Sequence, residues 1–124
     1  MSSFREGFAI LHVANAERAR AFYCDELGFE ETYRWPAEGE PGYVAVRLDD
    51  FKLGLTRSEE GRGAALWLYC DDVDAEVERL RAQGVRVLAE PESMPWGERM
   101  ATVADPDGTQ IHLGAVDSAA ARSS

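Results

Sequence analysis

Two histidines, two cysteines and many carboxylates are the residues that could carry chemistry in this chain of 124 residues. None sits in a spacing that makes a reactive centre by itself. Cys24 and Cys70 have no metal-type partner nearby, and one pair is too few for a disulfide framework. They read as free thiols of a cytoplasmic protein. Ser3, Ser58 and Ser93 stand outside any nucleophile motif. Asp71, Asp72 and Asp74 read as helix capping, and Glu59 and Glu60 as solvation of a linker. What remains is His12 and His112 beside a set of aromatic residues, Phe8, Trp35, Trp67, Tyr69 and Trp96 among them. Aromatic faces with a few polar groups are what small-molecule pockets use, and such faces attract cations. The two histidines read as ligand contacts or hydrogen-bonded structural groups rather than as catalytic residues.

The elements that must position these residues occur twice. Residues 8–30, an apolar strand followed by an amphipathic helix ending at Gly28, reappear as residues 65–87, with a helix ending at Gly84. Asn15 is a good N-cap for a helix over 16–27, whose stripe is Ala19, Phe22, Tyr23 and Leu27. Strands are expected near 29–35, 42–49 and 52–57. The polar segment 58–64 links the halves. The second half is expected to run as strand 65–70, helix 73–83 with Val73, Val77 and Leu80 inward, and strand 85–88. A loop over 90–97, then strands 98–104 and 109–115 about the turn Asp105-Pro106-Asp107-Gly108, complete it. The expectation is one α+β domain over residues 1–124, built from two tandem βαβββ modules (about 8–57 and 65–115) whose mixed sheet encloses a cleft. Residues 116–124 are expected to be a flexible tail.

Composition excludes several classes. A net charge of −10 argues against nucleic acid as a partner, because phosphate binding needs clustered Lys and Arg. It is compatible with attraction of a cationic ligand. No apolar run is long enough for a membrane span, and no signal peptide is expected.

The chain resembles the vicinal oxygen chelate superfamily of glyoxalase I, extradiol dioxygenases, fosfomycin-resistance enzymes and bleomycin-binding resistance proteins. Val13-(x)3-Glu17-Arg18-Ala19-(x)2-Phe22-Tyr23, Leu27-Gly28-Phe29, Asp71-Asp72-Val73-Asp74, Trp96-Gly97 and Asp105-Pro106-Asp107-Gly108 carry the resemblance. In metal-dependent relatives four strand residues, typically His, Glu, His and Glu, hold the ion. By that resemblance the four positions fall here on Phe8, Gly54, Ala65 and His112. Three of these have no lone pair for a cation, and a divalent metal needs several protein ligands. His12 is no substitute for Phe8, since four residues along a strand is about 13 Å. No metal and no cofactor is therefore expected.

Strand alternation then sorts the side chains. Phe8, Ile10, His12, Lys52, Thr56, Ala65, Trp67, Tyr69, Gln110 and His112 face the expected cleft. Ala9, Leu11, Val13, Leu66, Leu68, Cys70, Ile111 and Leu113 face the helices. The expected ligand-binding set is Phe8, Ile10, His12, Trp35, Trp67, Tyr69, Trp96, Gln110 and His112, with Tyr33 and Tyr43 at the rim. The reading is a metal-free cytoplasmic homodimer, a binding protein more than an enzyme. Like the bleomycin-resistance members, it would sequester a cationic or aromatic natural product. The alternative is a metal-dependent lyase, isomerase or dioxygenase with a displaced site.

Overall fold

A computed structural model describes residues 2–117. The chain divides into two compact units: residues 8–65, and residues 66–117 joined by the N-terminal residues 2–7.

The first unit contains β1 (Glu6–Val13, whose first two residues group with the second unit), α1 (Ala16–Ala21), a π-helical segment (Phe22–Glu26), β2 (Glu30–Trp35), β3 (Tyr43–Leu48) and β4 (Phe51–Arg57). Its strands lie in the order β2-β3-β4-β1, with β1 parallel to β4 and the other pairs antiparallel. Asn15 is extended, and its Oδ1 accepts the Arg18 N–H at 2.8 Å, which satisfies one orphan donor of the first turn. The helix differs from the expected stripe. The Leu27 N–H reaches back five residues to the Phe22 carbonyl at 3.2 Å. This wider turn shifts the apolar face, so Ala19, Tyr23 and Cys24 pack on the sheet while Phe22 and Leu27 are exposed. Gly28, at φ +87°, ends the segment in the left-handed conformation. The core lies under α1: Ala16, Val44, Val46, Leu53 and Leu55, flanked by Ala9, Leu11 and Val13.

The second unit contains β5 (Ala64–Tyr69), α2 (Val73–Ala82), β6 (Arg86–Ser93), β7 (Glu98–Ala104) and β8 (Gln110–Val116), in the order β5-β8-β7-β6 with β5 parallel to β8. Asp72 caps α2 by accepting the Ala75 N–H at 3.1 Å. Val73 and Val77 are buried against Cys70, Ala101, Val103, Leu113 and Ala115, with Leu68, Leu80 and Ile111 packed beside them. Phe4 packs on the same core, the Arg5 N–H donates to the Tyr69 carbonyl, and the Arg5 guanidinium pairs with Asp71. Leu66 departs from expectation. It is 43% exposed, because it lies on β5 outside the stretch that the α2 core covers. The expected loop over 90–97 is strand as far as Ser93. Pro91 is accommodated because β6 is an outer strand and its pairing with β7 is irregular between Ala89 and Glu92. Val116 closes β8, and the Asp117 N–H donates to the Gly97 carbonyl; the rest of the expected tail, 118–124, lies outside the described residues.

Each half thus carries the βαβββ order of an α+β fold.

Candidate functional site

Register decides which side chains meet, because directly opposed residues share a face of the sheet. In the first unit His12, Thr56, Tyr43 and Trp35 form one transverse row across β1, β4, β3 and β2. Ile10, Gly54, Ala45 and Tyr33 form the next. This is the face opposite α1, since the intervening Leu11, Leu53, Leu55, Val44 and Val46 belong to the helix-side core. Tyr33 and Tyr43 lie with ring centroids 6.2 Å apart. The Tyr43 ring lies over Gly54: a Cβ placed there would fall 2.5 Å from the phenolic oxygen and 2.8 Å from Cε1. Phe8 and His12 are half-buried, Ile10 is buried, and Trp35 is 42% exposed.

In the second unit the corresponding rows are Trp67–His112–Thr102 and Tyr69–Gly114–Met100, across β5, β8 and β7. Trp67 is only 6% exposed, because its indole lies on Gly114, where an added Cβ would meet Cζ2 at 2.3 Å. Tyr69 packs edge-on against it at 5.8 Å between centroids, and the His112 ring lies 6.0 Å away. His112 Nδ1 is 2.8 Å from the hydroxyl of buried Thr102. Gln110 is exposed at the end of β8. Trp96 stands in the tight turn between β6 and β7, and its indole N–H donates to Glu98 Oε1 at 2.8 Å.

The structure therefore gathers Trp67, Tyr69 and His112 on one face. Phe8, Ile10, His12 and Trp35 lie on a face of the other unit. Sequence reasoning did not find Thr102 or Glu98. The signal for Thr102 was available: it is the only polar residue in the apolar run Ala101–Ala104, so its hydroxyl needs a partner. Two surface hollows lie elsewhere. One is bordered by Ser2, Ser3, Phe4, Glu76 and Arg79, the other by Gly28, Glu30, Arg47, Leu48 and Asp49. Their arginines are ion-paired with Glu76 and Glu30, and neither hollow is lined by an aromatic of these rows.

The donor set does not fit a divalent metal. Phe8, Gly54 and Ala65 supply no ligand atom, Tyr43 occupies the space a side chain at 54 would need, and His112 already engages Thr102. Among the described residues no group of three or more His, Cys, Asp or Glu is placed to hold an ion. Nucleophilic chemistry is also poorly served, since burial pushes the Cys24 and Cys70 thiols above the usual range and away from the thiolate.

The family model described as Glyoxalase/Bleomycin resistance protein/Dioxygenase superfamily matches residues 7–113. The chain belongs to that superfamily. The Bacillus subtilis (strain 168) protein YetH is 25% identical to it over 98 residues, covering 73% of this chain and 82% of YetH. A superfamily member from Vibrio splendidus superposes with a TM-score of 0.65 at 23% identity, covering 91% of this chain and 98% of its own. Methylmalonyl-CoA epimerase from Streptomyces coelicolor, solved with 2-nitronate-propionyl-CoA, superposes with a TM-score of 0.73 at 21% identity, covering 93% and 99%. Likeness at that distance carries the superfamily fold and not the reaction.

Proposed function

We propose that this superfamily member is a metal-free small-molecule-binding protein that sequesters a cationic or aromatic natural product, as bleomycin-resistance members do. The observation that carries this reading is the replacement at position 54. Where the resemblance assigns a metal-binding side chain there is a glycine, and the ring of Tyr43 lies in its place. Aromatic faces in both halves then offer stacking and cation–π contacts, worth about 0.5–2 kcal/mol each. Two or three of these, with ordinary apolar burial, are enough for micromolar affinity. Trp67 supplies the floor of its face, and the half-buried Tyr69 and His112 supply contact. The charge of −10 favours a cation.

A thermal-shift panel of bleomycin and other cationic or aromatic antibiotics, run beside metal analysis of the purified protein, tests the reading. Ligand at about a hundred times its Kd should stabilise the fold by roughly 2.7 kcal/mol, a shift of several degrees. One equivalent of transition metal per chain, with no shift from any compound, would overturn it.

A further inference from the structure

The face of the first unit opposite α1 changes character along its strands, row by row. Successive rows lie two residues apart, or about 6–7 Å. The row of Ile10, Gly54 and Ala45 is apolar until it reaches Tyr33 on β2. The next row begins with His12 on β1 directly opposite Thr56 on β4. Both are half-buried, and among the described residues neither the His12 ring nor the Thr56 hydroxyl has a hydrogen-bond partner. Such groups take their hydrogen bonds from solvent. A molecule that covers them displaces that solvent, so it must supply the bonds itself or leave two polar groups unpaired.

The far end of the two rows is aromatic. Tyr33 and Trp35 stand on the outer strand β2, 45% and 42% exposed. Charge on these strands is sparse. Lys52 lies opposite Arg47, which lies opposite Glu30; the Arg47 guanidinium pairs with Glu30, and among the described residues the Lys52 ammonium has no ion-pair partner. Glu17 and Glu31 are engaged by Arg20 and Arg34, and Glu38 and Glu40 stand in the loop after Trp35. The net charge of −10 is therefore not gathered on the strands that carry His12 and Thr56.

We propose that this face selects a neutral aromatic molecule bearing a carboxamide, lactam or hydroxyl group. His12 and Thr56 take the polar group, and Tyr33 and Trp35 stack on the ring. The inference rests on the binding function above and narrows its ligand, at this subsite, from cationic or aromatic to neutral and aromatic. A carboxamide fits because its oxygen accepts and its nitrogen donates, while an imidazole and a hydroxyl offer the complementary groups. Adjacent strands are about 4.8 Å apart, so one such group reaches both side chains. Two strand spacings, about 10 Å, then separate Thr56 from Trp35, room for a two-ring system.

Naphthalene carboxamide, methylnaphthalene and naphthylmethylammonium share one ring system and differ in the polar group. Each is titrated against the full chain, with tryptophan fluorescence and histidine NMR signals as readouts. The carboxamide should bind about tenfold tighter than either other compound and should shift the His12 ring signals, which are assigned by their loss in His12→Phe. Thr56→Val and His12→Phe should each weaken the carboxamide about tenfold, the scale of one hydrogen bond. Both should leave methylnaphthalene within about twofold, as Thr56→Ser should leave the carboxamide. Tightest binding by the ammonium compound would give the face to a cation and overturn the proposal. Carboxamide affinity unchanged in Thr56→Val would do the same. If His12→Phe does not fold, the near-isosteric Thr56→Val decides it. A protein stabilised by bleomycin but indifferent to the carboxamide overturns this inference and leaves the binding function standing. No response to the carboxamide or to any antibiotic of the panel ends both.

Discussion

The phenol of Tyr43 lies over Gly54, so close that a Cβ at position 54 would sit 2.5 Å from its oxygen. Tyr43 is one register step from Gly54, opposite Thr56 on the adjacent strand. The ring leans along the sheet into the space glycine leaves. The second unit repeats the device with Trp67 over Gly114. In both halves a glycine is required by the ring above it and not by its own backbone.

Gly54→Ala should therefore destabilise the protein by about 1–3 kcal/mol, the range for overpacking a filled site. Tyr43→Ala in the same chain should recover much of that loss, since it removes the clashing ring. Urea denaturation of the two single variants and the double variant measures the coupling. Additive effects would show that Tyr43 does not occupy the space.

Trp67→Ala should cost about 3–5 kcal/mol, because the indole is buried and its removal leaves a cavity over Gly114. Tyr69→Ala, which removes a half-buried ring, should cost less stability and more affinity. Parallel denaturation and bleomycin titration separate the two. Equal effects of both variants on affinity, without loss of stability in Trp67→Ala, would show that Trp67 is not part of the folded floor.

Glu17 and Glu31 are held below the usual carboxylate range by hydrogen bonds from Arg20 and Arg34 respectively. A carboxylate whose folded-state pKa is depressed adds stability that is present above its unfolded value and lost as pH falls through the folded one. The urea midpoint should accordingly fall on acidification below the ordinary glutamate range, and Glu31→Gln should flatten that dependence. Glu17 and Glu31 are partly exposed, so high salt should reduce the effect. A profile identical in Glu31→Gln and wild type would exclude the network as its source.

A homodimer is expected. Phe22, Leu27, Leu48 and Phe51 of the first unit are all more than 40% exposed, and outer strands β2 and β6 carry unpaired edges. Closed two-fold pairing is the commonest way to cover such surface. Light scattering should return twice the chain mass; the mass of one chain over a wide concentration range would rule the dimer out.

The sequence by itself determined the order of the elements and most of the strand faces. Capping residues, glycines after the helices and period-two alternation are local signals, and they placed Asn15, Gly28, the Asp105–Gly108 turn and the split between Leu68 and Trp67 correctly, while narrowing the second helix cap to Asp71 or Asp72, of which the structure uses Asp72. The superfamily was legible for the same reason, since its motifs lie at those helix and turn boundaries. Only the tertiary structure decided what each face holds. The π turn at Phe22–Glu26 moved the helix stripe by a change of hydrogen-bond register that no periodicity encodes. Tyr43 over Gly54, Trp67 over Gly114 and Thr102 against His112 are contacts between residues 10 to 47 positions apart, as their numbers show. They depend on strand order and register, which are properties of the whole sheet, so a local reading could name these residues but not pair them.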